Sequence, residues 1–352
     1  MERCATTGCG GANGHALSSS RPRGTVTERE RFLATLLGGR ADRFPLFDLE
    51  PADSTLALWR GQGLPRGTTV AEHFRLETHE SVGLEVRSAP FYEMAPDLLE
   101  SPDAFDRHYD LGDPDRLPAD WKERCARARR RGRVLSVAAS GGGLLQMLGV
   151  GDWGSLVAAC DALVNRPAFV ESLLERTTEF HCLLLERALA RLRVDYAAFY
   201  EPIASNTAPV VSPAMFERYS IPGYRRVIAL LERHGVPLRI LCTTGGNLRP
   251  LLPSLLDAGI NGLWISNITS AGMEYLALRR DFGPEIALIG GIDSTALLRG
   301  EAAVRHAVEE TVPPLLSQGR YLPCLDDRPR DNTPFAMYAL YRELLAEIAE
   351  RG

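Results

Sequence analysis

Acidic side chains follow several of the short apolar runs in this chain, at the point where each run ends. Glu201 follows one such run and is succeeded by an irregular stretch with no helix to cap, and Asp326 and Asp327 follow the last run. Carboxylates that converge in a partly dry cleft repel one another, so at least one should have a raised pKa and donate a proton near neutral pH. The pattern predicts acid/base catalysis in which Glu201 and Asp326 transfer protons, with Asp327 as their electrostatic neighbour.

A wider set of polar side chains lies at or near the ends of the other apolar runs, and we expect this set to bind substrate. Arg87 is the basic residue among these candidates, so it is assigned to a substrate carboxylate. Asp293 is equally well explained as the N-cap of the helix that follows it. The predicted substrate-binding residues are Asp48, Arg87, Ser140, Asn206, Thr243, Thr244, Asn247, Asn267 and Asp293.

Two cysteines are the candidates for a metal site. Cys242 and Cys324 end two of the apolar runs, whereas the histidines fall in predicted helices, connections or the N-terminal leader. Zinc sites in proteins draw mainly on Cys and His. The sequence therefore predicts no metal cofactor, and a zinc ion, if there were one, would have to use Cys242 and Cys324. The competing interpretation is that both thiols are buried structural residues.

Eight short strands alternating with helices must position these residues. The carboxyl ends of parallel strands lie at one edge of a sheet, which is where the polar residues would meet. The alternation predicts an α/β fold, a single (β/α)8 TIM barrel over residues 26–352, with a doubly wound open sheet as the rival architecture. The predicted strands are residues 44–49, 84–87, 134–138, 194–200, 237–242, 260–265, 285–289 and 321–324. The predicted helices are residues 28–37, 167–192, 212–234, 248–258, 273–281, 302–318 and 333–351.

Composition excludes several functional classes. A chain of 352 residues with 45% hydrophobic and 24% charged content is typical of a soluble globular protein, and its formal net charge of -5 argues against a nucleic-acid partner. No run approaches the roughly 18 apolar residues of a membrane span, and seven scattered cysteines do not form a disulfide framework. We expect a cytoplasmic protein with a small acidic substrate and no nucleic-acid or membrane partner, and leave pairing into a homodimer open. Residues 1–25, rich in Gly, Ser, Ala and Thr, are predicted to be a flexible, disordered leader.

Several segments together resemble the uroporphyrinogen decarboxylase superfamily. They are the helix 29–37 with the Gly39 to Pro45 segment after it, residues 201–222, the turn Gly246-Asn247, the Ile289-Gly-Gly-Ile-Asp293 motif and residues 319–326. The resemblance runs from about residue 28 to the C-terminus, and it implies one (β/α)8 barrel with its site at the carboxyl ends of the strands. It also implies one of two activities: cofactor-free decarboxylation of the acetate arms of a porphyrinogen, or zinc-dependent methyl transfer between a corrinoid protein and a thiol.

The sequence departs from both reference patterns of that superfamily. Where the decarboxylases carry an early Arg-Gln-Ala-Gly-Arg segment that binds substrate carboxylates, this chain has the acidic residues 48–53, which would repel a polycarboxylate. Where the methyltransferases carry a His-X-Cys-Gly zinc motif, this chain has Thr243-Thr244-Gly245-Gly246, so that zinc site cannot form as such.

The leading hypothesis is a uroporphyrinogen decarboxylase-like lyase that decarboxylates a non-porphyrin organic acid by carboxylate acid/base chemistry. One alternative is corrinoid- and zinc-dependent methyl transfer with the metal relocated to Cys242 and Cys324, and another is a non-catalytic barrel that serves as a binding subunit. The catalytic hypothesis requires Glu201, Asp293 and Asp326 to meet around one cavity at the carboxyl rim of the barrel.

Overall fold

The computed structural model describes residues 26–82, 105, 109–112, 116–117, 119–139, 143–243 and 245–351. The predicted leader, residues 1–25, lies outside this part of the chain, and so does the predicted strand 84–87. No helix in the described ranges is long and apolar enough to cross a membrane.

Seven parallel strands form one sheet in which each strand pairs with the next one along the chain. The register places Tyr200 beside Cys242 and Thr243 beside Ile265, so the carboxyl ends of successive strands lie at the same edge. This sequential parallel order confirms an α/β sheet of the barrel type, although a closed eight-stranded barrel is not formed by the described residues. The strands are β1 (His79–Val82), β2 (Val134–Ala138), β3 (Tyr196–Tyr200), β4 (Leu238–Thr243), β5 (Gly262–Ile265), β6 (Ala287–Ile292) and β7 (Tyr321–Leu325).

The segment predicted as the first strand, residues 44–49, forms no strand, and that prediction is wrong. It lies between the two ends of the sheet: the Leu46 carbonyl accepts a hydrogen bond from the Glu77 N–H just before β1. On the other side, the Leu325 N–H of β7 donates to the Asp48 carboxylate at 3.3 Å, where a strand would offer a main-chain carbonyl. Pro45 has no N–H to give to a ladder, which further weakens strand pairing here.

Helices connect the strands and pack against the sheet, both where the sequence predicts them and at residues 53–62, 70–74, 121–130, 144–147 and 153–165, where no helix was predicted. Thr27 and Glu30 form a reciprocal capping box at the start of the first helix, and Ser212 caps another ahead of Pro213. The helices are α1 (Glu28–Leu36), α2 (Asp53–Gln62), α3 (Val70–Phe74), α4 (Trp121–Arg130), α5 (Leu144–Met147), α6 (Trp153–Asn165), α7 (Pro167–Leu189), α8 (Pro213–Tyr219), α9 (Ile221–Arg233), α10 (Leu252–Asp257), α11 (Ile268–Ala271), α12 (Tyr275–Phe282), α13 (Glu301–Gln318) and α14 (Phe335–Arg351).

Strand side chains alternate between two apolar clusters. In β3, Tyr196 and Ala198 belong to the inner cluster enclosed by the curled sheet, whereas Ala197 and Phe199 pack outward against the helices. Phe32 of α1 joins the inner cluster, and the Arg29 guanidinium binds the carboxylate just before β3 at 2.8 Å. Helix α1 therefore covers the amino ends of the strands, which leaves the carboxyl edge as the accessible end of the inner space.

Candidate active site

The inner face of the sheet opens into a cavity of about 370 Å³, here called the central cavity. Its wall includes Phe47 from the 44–49 segment, His79 at the start of β1, Tyr196 and Tyr200 from β3, and Trp264 from β5. A volume of this size is at the lower end of the range for small-molecule sites. Because it lies on the inner face of the sheet, the central cavity is a candidate for a substrate site in the described part of the chain.

Aromatic rings make the interior of the central cavity largely apolar. Phe47 stacks on His79 with ring centroids 4.1 Å apart and meets Trp264 edge to face at 5.6 Å. Burial lowers the pKa of His79 to about 3, so its imidazole is neutral at ordinary pH. Neither ring nitrogen of His79 has a hydrogen-bond partner within the described ranges. The sequence analysis placed this histidine in a connection, whereas it begins β1 and faces the cavity.

Polar groups concentrate where the central cavity meets solvent. Tyr200 ends β3 and is 45% exposed, and burial of the rest of its ring raises its pKa to about 12, which keeps the phenol protonated. Arg328 and Glu50 also line this rim, and both are exposed. Neither forms an ion pair with another residue of the described chain. The rim therefore carries a phenol, a guanidinium and a carboxylate.

The other two acids on the cavity wall form ion pairs with arginine side chains. Asp48 lies against Arg342 at 3.2 Å and accepts hydrogen bonds from the Tyr338 hydroxyl and the Leu325 N–H. Burial raises the pKa of the Asp48 carboxyl while the nearby guanidinium opposes that effect. Glu77 is paired with two arginine side chains at 2.8 and 2.9 Å. Asp48 therefore ties the 44–49 segment to β7 and α14, and its carboxylate does not form the repulsive acidic surface that the sequence predicts.

Glu201 lies in a different compartment from the central cavity. Its carboxylate oxygens accept hydrogen bonds from the Leu144 N–H and the Tyr224 hydroxyl, each at 3.0 Å, on the helix side of the sheet. Burial raises the pKa of Glu201 to about 7. The raised pKa agrees with the sequence analysis, but its cause is desolvation rather than repulsion from other acids. Glu201 lines a small chamber behind β3, and the premise that it meets Asp293 and Asp326 around one cavity is wrong.

Asp326 and Asp293 are neighbours that organise the loops after β5 and β6. Asp326 accepts hydrogen bonds from the Ser294 N–H at 2.9 Å and the Ile268 N–H at 3.1 Å, and burial raises the pKa of its carboxyl. Asp293 caps the short turn after β6 by accepting from Thr295, as its alternative interpretation predicts. Both carboxylates hold backbone turns, and neither lines the central cavity.

The remaining predicted site residues are scattered along the carboxyl edge. Asp327 accepts from the N–H of Arg328, and Asn267 binds the Arg330 guanidinium. The Asn247 side chain accepts a hydrogen bond from the Arg249 N–H and donates one to a carbonyl of the loop after β3. The backbone of Gly246 also lies close to the Ala204 carbonyl of that loop. Asn206 lies exposed in that same loop. Three of the predicted residues, Arg87, Ser140 and Thr244, lie outside the described residues, and of Thr243 only the backbone, at the end of β4, is described.

The two candidate metal ligands do not fit a zinc site. Cys242 and Cys324 belong to the inner apolar cluster, and burial raises the pKa of the Cys242 thiol to about 12 and that of Cys324 as well. Zinc binds the thiolate, so each thiol would have to lose its proton within this apolar cluster for a metal to bind. The ranges covered by the structure hold no group of three or more His, Cys, Asp or Glu side chains that could ligate a metal. The buried structural interpretation of these cysteines agrees with their surroundings.

Sequence reasoning missed the residues that line the central cavity. It collected the side chains that follow each strand, whereas Tyr196, Tyr200 and Trp264 lie within strands and face inward. The alternation of β3 carries the missing signal, since Tyr196 and Tyr200 are four residues apart and share one face while Glu201 faces the other. Arg328 directly follows the predicted site residue Asp327 and gave no signal of its own.

Comparison with known proteins adds an independent line of evidence. The sequence profile of the family described as Uroporphyrinogen decarboxylase (URO-D) matches residues 150–322. A protein named uroporphyrinogen decarboxylase from Desulfotalea psychrophila is 29% identical over 147 residues, covering 42% of this chain and 39% of that protein. Another of that name, from Cupriavidus necator, is 35% identical over 105 residues, covering 28% of this chain and 26% of the relative. The matches thus span well under half of these two relatives.

Proposed function

The chain is a divergent member of the uroporphyrinogen decarboxylase superfamily, and we propose that it is a decarboxylase-type lyase that releases CO2 from a small organic acid in the central cavity. The observation that carries this proposal is the central cavity itself. It combines a guanidinium that has no ion pair among the described residues and a protonated phenol at the rim with an apolar aromatic wall further in. The names of the two relatives point to the same class of reaction.

Arg328 is the group of the rim that would hold the substrate. A guanidinium binds a carboxylate through charge-assisted hydrogen bonds, with two-pronged geometry when the approach allows. The carboxylate it holds should be one that is retained, because a favourable ion pair with the departing group would stabilise the ground state. The substrate in this proposal therefore carries a second carboxylate that reaches past the rim.

The aromatic wall favours loss of that second carboxylate. Phe47 and Trp264 offer no hydrogen bonds to replace the hydration of an anion, whereas CO2 is neutral and needs none. When the carbon–carbon bond breaks, its electron pair stays on the substrate carbon and must spread into an adjacent unsaturated group of the substrate. The Tyr200 hydroxyl, protonated throughout the ordinary pH range, is placed to donate a hydrogen bond to that group. A proton from solvent at the rim then replaces the lost carboxylate on carbon.

Size supports a substrate other than a tetrapyrrole. A macrocycle of four pyrrole rings with its acid side chains would have to extend out of a cavity of about 370 Å³ through its open rim. The carboxylate of Glu50 at the rim would also oppose a ligand with many carboxylates. Together these features favour a small acid with two or three ionised groups.

Release of CO2 from a panel of di- and tricarboxylic acids, with uroporphyrinogen included, tests the proposal. We expect turnover of at least one small acid, a KM raised tenfold or more by Arg328→Gln, and a kcat lowered by Tyr200→Phe. Arg305→Gln is the matched control, because Arg305 pairs with Glu301 on the exposed face of α13. Turnover of uroporphyrinogen alone would contradict the substrate class. An active enzyme indifferent to both substitutions would contradict the assignment of the site.

A further inference from the structure

A small chamber of about 40 Å³ lies behind β3, on the side of the sheet away from the central cavity. Glu201 forms one wall, and His181 of α7 and Ser220 between α8 and α9 form others. We call it the Glu201 chamber. A space of this volume accommodates a group the size of one or two water molecules.

Three buried polar side chains converge on the Glu201 chamber with unused hydrogen-bonding capacity. His181 Nε2 and Ser220 Oγ are buried, and neither has a partner in the described part of the chain. Each carboxylate oxygen of Glu201 accepts one hydrogen bond, from Leu144 or Tyr224, and can accept another. Buried polar atoms in folded proteins are almost always satisfied, so these atoms indicate a small ligand in the chamber.

The charge of the chamber is also unbalanced when Glu201 is ionised, at a pH above its raised pKa of about 7. Glu201 is 1% exposed and has no ion pair with a cation of the described residues. His181 cannot supply the positive charge, because burial and the nearby Arg116 lower its pKa to about 4 and leave the imidazole neutral. A buried carboxylate without a counter-ion is costly. A ligand with a positive charge and several N–H donors would balance the charge of the carboxylate and would also satisfy the unpaired hydrogen-bond acceptors.

We propose that the Glu201 chamber is a second binding site, separate from the central cavity, for one ammonium ion. Its N–H groups would donate to the Glu201 carboxylate, to His181 Nε2 in the tautomer with the proton on Nδ1, and to Ser220 Oγ. The aromatic residues Phe199 and Tyr219 also line the chamber, and aromatic rings attract cations. Potassium has a similar size but donates no hydrogen bonds and prefers oxygen ligands. A site with one nitrogen and several oxygen acceptors of hydrogen bonds therefore favours ammonium over potassium.

An outer groove gives the ion a route to the chamber. The groove has a volume of about 380 Å³ and shares Leu174, Thr178, Tyr219 and Gly223 with the chamber wall. Glu175 is exposed on the groove and does not line the chamber; the other charged residues of the groove are Glu171, Arg218 and Arg226, so its formal charges balance. The site is therefore reached from the helix side of the sheet.

Thermal unfolding in ammonium, potassium and sodium chloride at equal concentration and about pH 8 tests the site. At this pH the Glu201 carboxyl is ionised, since its pKa is about 7. We expect ammonium to raise the unfolding midpoint by a few degrees above potassium, as a ligand that binds only the folded state does. The difference should vanish in Glu201→Gln and persist in the matched control Glu175→Gln.

A direct observation keeps the proposal testable even if Glu201→Gln folds poorly. With 15N-labelled ammonium chloride, the wild-type protein should show a bound ammonium resonance distinct from that of the free ion. Ser220→Ala, which keeps the charge and removes one acceptor, should weaken binding about tenfold. Equal midpoints in ammonium and potassium together with no bound resonance would overturn the proposal and leave water as the occupant of the chamber.

Discussion

Glu201→Gln should change how the stability of the protein depends on pH. Burial raises the pKa of Glu201 from 4.5 to about 7 in the folded protein, whereas the unfolded chain returns it to its usual value. Between these two pH values the folded state holds a proton that the unfolded state has lost. The folded state is therefore favoured most at low pH, and this contribution disappears as the pH rises through about 7.

The size of the effect follows from the pKa difference. One pH unit of difference between the folded and unfolded pKa is worth about 1.4 kcal/mol. The rise from 4.5 to about 7 thus corresponds to a loss of about 3 kcal/mol in unfolding free energy between acid and neutral pH. Gln at this position does not titrate, and its amide can still accept from the Leu144 N–H and donate to the Tyr224 oxygen.

Urea denaturation from pH 4.5 to pH 8, in buffers free of ammonium, measures this difference directly. Subtracting variant from wild type removes the contribution of the other acids. We expect the wild type to lose about 3 kcal/mol relative to Glu201→Gln across this range, and the exposed Glu175→Gln to give a flat difference. A flat difference for Glu201→Gln, or one in which the wild type gains stability as the pH rises, would refute the reasoning that burial controls this carboxyl.

Three further changes test the buried contacts that shape the site. Asp48→Ala leaves the Arg342 guanidinium buried without its counter-ion, so chemical denaturation should show a loss of about 3 to 5 kcal/mol; an unchanged midpoint would show that the pair is not needed. Gly246→Ala places a Cβ at a positive φ and 2.3 Å from a backbone carbonyl, whereas Gly272→Ala has a positive φ and open space. We expect the unfolding midpoint of the first to lie several degrees below that of the second, and equal midpoints would contradict the close approach. Asp326→Ala removes the acceptor of two backbone N–H groups and should cost about 2 kcal/mol in the same assay; wild-type stability would mean that water replaces it.

The parallel sheet could be predicted from the sequence because buried strands are short apolar runs. Residues 134–138 and 321–324 are such runs, and both are strands at nearly the predicted bounds. The sequence of a strand does not show in the same way which other strands it pairs with. Residues 44–49 have the composition of a strand but form no ladder, and His79–Val82 is a strand although its sequence is half polar.

The candidate site was harder to predict, because the face of the sheet on which a side chain lies depends on the register of its strand. Glu201 and Tyr200 are adjacent in sequence, yet one lies in the chamber behind the sheet and the other in the central cavity. A shift of one residue exchanges the two faces of a strand. Ion pairs across the fold are also invisible in the sequence, so Asp48 looks like an available acid until Arg342 is placed beside it. The leader, the cytoplasmic location and the homodimer stay predictions.

Kinetics of two variants with the same acid substrate test the central claim most directly. If the reaction takes place in the central cavity, Arg328→Gln should lower kcat/KM for CO2 release tenfold or more. Glu201→Gln, on the other side of the sheet, should keep it within a few-fold of the wild type at a pH where both proteins are folded. The reverse result, with Glu201→Gln inactive and Arg328→Gln fully active, would place the chemistry behind β3 and contradict the account.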